Sequence, residues 1–362
     1  MEQGKYTDSP EWSDIQPIPL DDGSREEENY GGSSNPLAVI AYKPEYLEAT
    51  SYLRAVMAAN EMSERVLRLT EDVISMNPAH YTVWLYRAKI LFTLEKDLTK
   101  ELAWLNKISL KYLKNYQIWH HRQQLMSSRE HFPALPSDEL DFLMDMFAAD
   151  SKNYHVWSYR QWLVRHFDLW DEPREISDVN TLLNEDVRNN SVWNHRYLLR
   201  FAPRQGPEAA MATGSYTLGG DEKGRLDVVD EDVVDAELGY AQSKIVLAPE
   251  NRSPWLYARG VLRAAGRPLS EWKGFASRFI TEEIVGDAGN DTIIHVKSSI
   301  ALEWLADVSG EEATHQELEE DARKEKVAEA VKMLKLLKDK YDPIRKNYWD
   351  YKIHQLSVAV AV

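Results

Sequence analysis

The sequence predicts an all-α chain, a solenoid of stacked antiparallel helical hairpins. Three observations carry that prediction. A tryptophan-centred motif recurs at a nearly constant interval, an amphipathic stretch precedes it, and an asparagine stands where each second helix would begin. The motif is HYTVWLYR at 80–87, NYQIWHHR at 115–122, NYHVWSYR at 153–160, NNSVWNHR at 189–196 and NRSPWLYAR at 251–259. The steps from Trp84 to Trp119, Trp157 and Trp193 are 35, 38 and 36 residues, and the step to Trp255 is 62. Helix pairs at such a period bury their apolar faces only by stacking on one another.

Residues 1–36 are acidic and rich in Gly, Ser and Pro, which predicts a flexible segment ahead of a repeat domain spanning 37–362. Within each repeat the first helix is visible in its period. In DELDFLMDMFAAD (138–150), Leu140, Leu143, Met144 and Phe147 fall on one helical face. The second helix begins at the motif. Asn115, Asn153, Asn189 and Asn251, with His80 in the first repeat, stand four residues before Trp, where a side-chain oxygen can accept from the free N–H groups of the helix start. Trp lies one turn in and fills the gap between hairpins. Arg87, Arg122, Arg160 and Arg196 follow it by three, so each guanidinium requires carboxylates or helix-end carbonyls as partners. Arginine is displaced in the fifth repeat, where Ala258 stands in its place and Arg259 follows. The long step before Trp255 is explained by a loop insertion at about 204–224, and NYWDYK at 347–352 is a weaker echo of the motif.

Composition narrows the function. The chain has 362 residues, no cysteine and a net charge of −16. Disulfides, thiolate metal sites and cysteine nucleophiles are excluded, and a general nucleic-acid or anionic-membrane surface is disfavoured. The first residues lack the apolar core of a signal peptide, and no apolar run reaches membrane-spanning length, so the cytoplasm is the expected compartment. His120 and His121 are adjacent and would point in different directions on a helix, while His155 and His166 have no third ligand. No metal site is expected in this chain.

One feature is not explained by packing. The residue five before Trp is Lys114, Lys152 and Arg188 in repeats two to four, but Ala79 and Glu250 in the flanking ones. A cation beside a helix N-terminus makes an anion site, although the same three residues also fit an ordinary solvated edge. Tyr116, Gln117, Tyr154 and His155 occupy the first turns of the same helices.

At these residues a family becomes recognisable. The stretch 152–200, with PEWSDIQPIPLDDG near the start, residues 40–92 and DPIRKNYW near the end, resembles the α-subunit shared by protein farnesyltransferase and geranylgeranyltransferase I. The resemblance covers nearly the whole chain. It implies a right-handed superhelical crescent that wraps an α/α-barrel β-subunit. It further implies transfer of a C15 or C20 isoprenoid from its diphosphate to a cysteine near the C-terminus of CaaX proteins. The zinc would belong to the β-subunit, with magnesium as the second metal. Lys152 matches the lysine that reaches the diphosphate. Tyr154, His155 and Asn189 match positions around that site, and Tyr116 and Gln117 match an edge near the peptide. Two other readings differ from this one: the α-subunit of Rab geranylgeranyltransferase, and a non-catalytic helical adaptor of the tetratricopeptide kind.

Overall fold

Each motif opens a helix, and the start of that helix is set by its own asparagine. A computed structural model describes residues 4–19, 40–202, 204, 230–285, 291–314 and 318–360. Asn115 Oδ1 accepts from Gln117 N (2.8 Å) and Ile118 N (3.3 Å), Asn153 Oδ1 from His155 N (3.1 Å), Asn189 Oδ1 from Ser191 N (3.1 Å) and Asn251 Oδ1 from Ser253 N (3.2 Å). His80 caps the first motif helix through Nδ1, which accepts from Val83 N.

The chain divides into two units, Met1–Arg160 and Gln161–Val362. The first contains α1 (Pro44–Ala58), α2 (Glu64–Met76), α3 (Tyr81–Thr93), α4 (Leu98–Lys111), α5 (Tyr116–Met126), α6 (Glu139–Ala149) and the beginning of α7 (Tyr154–His166). Its hairpins are α2–α3, α4–α5 and α6–α7, with the motif opening the second helix of each. The second unit continues with α8 (Pro173–Glu185), α9 (Asn190–Phe201), α10 (Glu231–Leu247), α11 (Arg252–Ala265), α12 (Lys273–Ser277), α13 (Ser299–Ala313), α14 (Glu320–Leu336) and α15 (Lys346–Val360). Gly266, in the left-handed region at φ 66°, terminates α11. No helix among the described residues is long and apolar enough to cross a membrane.

The arginines join consecutive hairpins. Arg87 of α3 makes two bonds of 2.7 Å to Glu101 of α4, and its ring-like plane lies 4.2 Å from the centre of Trp104. Arg122 of α5 pairs with Glu139 of α6 over Phe142, and Arg196 of α9 pairs with Glu237 of α10 over Tyr240. The receiving helix therefore carries Glu and an aromatic three residues apart, one turn of the same face. A glutamate of the first helix also holds the residue two after Trp in its own hairpin, and Glu101, Glu139 and Glu237 do so while receiving an arginine. His121 Nε2 meets Glu101 at 3.1 Å, Tyr159 Oη donates to Glu139 at 2.8 Å, His195 Nε2 meets Glu175 at 2.7 Å and Tyr257 Oη donates to Glu237 at 2.8 Å. A carboxylate can only accept, so it is Nε2 of each histidine that carries the proton.

Repeat five keeps this device in altered form. Arg259, one position late, reaches Asp307 of α13 at 2.5 Å and lies over Trp304, three residues before the acid instead of after it. Lys352 of the NYWDYK echo pairs with the same Asp307, and the echo's Trp349 is fully buried with Nε1 donating to Asp342 O.

Three expectations need amendment. Met144 is half-buried, and Phe142 and Met146 join Leu140, Leu143 and Phe147 on the packed face of α6. The all-α chain carries one antiparallel pair, β1 (Ile280–Val285) and β2 (Asp291–Val296), registered Ile280 to Val296 and Val285 to Asp291. Finally, part of the segment expected to be flexible is packed. Tyr6 and Trp12 are buried against Tyr52, Arg65 lies over Trp12, and Glu48 accepts from the backbone N–H groups of Lys5, Tyr6 and Thr7. Residues 20–36 of that segment, and the 204–224 insertion apart from Arg204, lie outside the described residues.

Candidate functional site

The turn between the two helices of a hairpin places one residue immediately before the capping asparagine, and in repeats two, three and four that residue is a cation. In repeat three Asp150 Oδ1 accepts from Lys152 N (3.4 Å), and in repeat four Asp186 Oδ1 accepts from Arg188 N (2.9 Å). An aspartate two residues before the cation thus closes a tight local turn that holds it at the helix mouth.

The first unit brings six of the expected residues to one edge. Lys114 Nζ is ion-paired with the partly buried Asp150, and the lysine side chain is 73% exposed. Lys152 is exposed on the neighbouring repeat. Between them the His155 ring stacks on Tyr116 at 6.5 Å and 18°, and lies 3.9 Å from the ring centre of Tyr154. Partial burial lowers the His155 pKa, and the charge of Lys114 adds to this against a hydrogen bond with the Lys114 backbone, so the ring is neutral near pH 7. Tyr116 and Tyr154 are well exposed despite their size, whereas Gln117 is buried.

A cavity of about 510 Å³ opens at this edge, lined by Ala79, Tyr112, Leu113, Lys114, Tyr116 and Gln117 among others. It combines a cation, an amide and a phenol beside the positive end of α5, whose first N–H groups at Gln117 and Ile118 are already taken by Asn115. Lys152 is not among its lining residues. Arg188 and Asn189 belong to the second unit. There Arg188 is exposed, and Asn189 is buried with Oδ1 committed to capping α9.

Sequence reasoning missed the counter-ion Asp150 and the acids that receive the arginines. Both had a signal: Asp-x-Lys-Asn and Asp-x-Arg-Asn at 150–153 and 186–189, and Glu three before an aromatic at Glu101, Glu139 and Glu237. His120 and His121 do diverge, the first exposed and the second buried on Glu101. Among the described residues no group of three or more His, Asp or Glu side chains is arranged to hold a metal ion.

These features define a helical-hairpin repeat protein whose interior is locked by arginine–carboxylate pairs and whose helix starts carry exposed cations in repeats two to four. Comparison with known proteins names the family. The protein prenyltransferase alpha subunit repeat matches residues 63–94, 98–129, 136–167 and 173–201, each of which is one of the hairpins above. The protein farnesyltransferase/geranylgeranyltransferase type-1 subunit alpha of Candida albicans is 36% identical over 99% of both chains, and that of Dictyostelium discoideum is 32% identical over 97% of this chain and 94% of its own. A solved chain of Candida albicans protein geranylgeranyltransferase-I complexed with GGPP matches with a TM-score of 0.73 and 35% identity, covering 95% of this chain and 98% of that one. The chain belongs to the protein prenyltransferase alpha-subunit family.

Proposed function

We propose that this chain is the α-subunit of a heterodimeric CaaX protein prenyltransferase, active only with a β-subunit. The pair would move a farnesyl or geranylgeranyl group from its diphosphate to a cysteine near the C-terminus of target proteins. The observation that carries this reading is the 36% identity spread over 99% of both chains, which leaves no repeat unaccounted for. The reading assigns zinc to the β-subunit and magnesium to the diphosphate, and asks no metal ligand of this chain.

The role left to the chain is electrostatic. As the C–O bond of the isoprenoid diphosphate breaks, negative charge grows on the leaving oxygens. A lysine already placed beside a helix N-terminus stabilises that charge more than it stabilises the bound substrate, which lowers the barrier. The family resemblance points to Lys152. The cavity favours Lys114, which lines it together with Tyr116 and Gln117. The neutral His155 ring and the two tyrosines offer apolar faces next to these charges, a surface suited to an isoprenoid or peptide that passes the edge.

Co-expression with candidate farnesyltransferase and geranylgeranyltransferase I β-subunits tests this directly. Prenyl transfer to a CaaX peptide that requires both chains is the expected result. A stable heterodimer without transfer would overturn the assignment of the edge and leave the partner. Failure to pair with either β-subunit would favour the Rab enzyme or an adaptor.

A further inference from the structure

In four of the five motifs the tryptophan indole is tied to the turn before its own helix. Trp84 Nε1 donates to Pro78 O at 2.9 Å, Trp157 to Ser151 O at 3.0 Å, Trp193 to Val187 O at 2.9 Å and Trp255 to Pro249 O at 3.0 Å. Trp119 is the exception. Its Nε1 is buried and has no hydrogen-bond partner among the described residues. The equivalent acceptor is Leu113 O, which takes Asn153 Nδ2 at 2.7 Å. That bond does not exclude the other, because Val187 O in repeat four accepts Trp193 Nε1 and Asn251 Nδ2 (2.7 Å) together. A buried donor left without a partner requires an explanation.

The turn itself differs in two further respects. The residue seven before Trp, which caps the preceding helix, has φ between −137° and −154° and ψ between 76° and 92° in the other repeats, whereas Tyr112 has φ −126° and ψ 62°. The stiffening groups are also missing. Repeat one has Asn77, whose Oδ1 accepts from Ala79 N, followed by Pro78. Repeats three and four have the aspartates Asp150 and Asp186, and repeat five has Pro249. Repeat two alone has neither, with Tyr112 and Leu113 at those positions. This unlocked turn is the one that carries Lys114 and walls the cavity.

We infer that the Tyr112–Asn115 turn is an adjustable mount for Lys114, and that Trp119 is a positioning residue for it. When a diphosphate engages Lys114, the turn pivots on the Asn153–Leu113 bond until Leu113 O also accepts Trp119 Nε1. The resting protein keeps that bond open, and the ligand completes it. The inference rests on the reading of Lys114 as a diphosphate contact, but its resting-state half does not.

Both halves are tested on the reconstituted heterodimer with Trp84→Phe, Trp119→Phe, Trp157→Phe and Trp193→Phe, with and without farnesyl diphosphate. Without it, Trp119→Phe should lower the melting temperature about 2 °C less than its three siblings do, since it removes no hydrogen bond. With it, only Trp119→Phe should weaken binding, by about 3- to 10-fold. Tyr112→Asn, which installs the lock of repeat one, should tighten binding and raise the resting cost of Trp119→Phe to that of the others. Equal melting losses at all four tryptophans would overturn the open resting turn. Unchanged binding in both Trp119→Phe and Tyr112→Asn would overturn the coupling. If farnesyl diphosphate stabilises no version of the protein, the functional reading fails, while the ligand-free ranking still decides the resting state of the turn.

Discussion

Two regions of the first unit are built from the same ingredients, a cation and a carboxylate on neighbouring repeats, yet they perform opposite tasks. Arg122 and Glu139 are each 1% exposed, with Asn106 Oδ1 accepting from Nη1 and Phe142 beneath the guanidinium. Lys114 and Asp150 are 73% and 21% exposed. In the first pair the desolvation cost is already offset by complementary geometry, and removing one partner leaves the other stranded without water. In the second, water screens the lysine and reaches part of the aspartate, the pair contributes little to folding, and the lysine can change partners. Burial, more than charge, separates a clamp from an exposed edge whose lysine is free to exchange partners.

The sharpest way to break this contrast is Arg122→Ala, which should lower unfolding free energy by about 3–5 kcal/mol in urea titration. A loss below about 1 kcal/mol would make the clamp no different from the edge. Acid probes the clamps without mutation. Burial by itself would raise the Glu101 carboxyl, but hydrogen bonds from His121 and Arg87 outweigh it and bring the pKa from 4.5 to about 2. The unfolded chain therefore binds the proton first as pH falls. Stability from this group is fully present above about pH 4.5 and lost towards pH 2, on the order of 3 kcal/mol. Glu101→Gln should flatten that part of the curve when melting is followed from pH 5 to 2.

At the edge the large effects move from stability to rate. Lys114→Ala should leave melting nearly unchanged while slowing single-turnover transfer roughly 10²- to 10³-fold. If Lys152→Ala gives the larger loss, the resemblance chose the catalytic lysine better than the cavity did. The smallest effect is expected of Asp150→Asn, which should alter stability by less than about 1 kcal/mol. A larger change would show that the exposed pair contributes to folding after all.

Repeat five teaches a related lesson. Its arginine stands one residue late, with Ala258 in the position that arginine takes in the other repeats. The receiving helix compensates by reversing the order of aromatic and acid, Trp304 before Asp307, so that Arg259 still finds both a ring and a carboxylate. The compensation is not local. It joins residues 48 positions apart, across the β1–β2 pair. By contrast the capping asparagines were legible from the start, because each acts on an N–H two or three residues away.

The sequence by itself determined whatever repeats at short range. That includes the hairpin period, the helix starts at Asn115, Asn153, Asn189 and Asn251, the placement of Trp and Arg on one face, and the cations ahead of three helix mouths. These follow from 3.6-residue periodicity and from capping, which involve only a few neighbouring residues. Tertiary structure alone decided which glutamate closes on each arginine, that Asp150 pairs with Lys114, that Tyr6 and Trp12 pack on Tyr52, and that Trp119 is left without its carbonyl. Each of these joins groups from different helices or separate segments, or depends on a turn's exact backbone angles. Their energies depend on burial and on ångström-scale geometry, which a pattern of residue types does not contain.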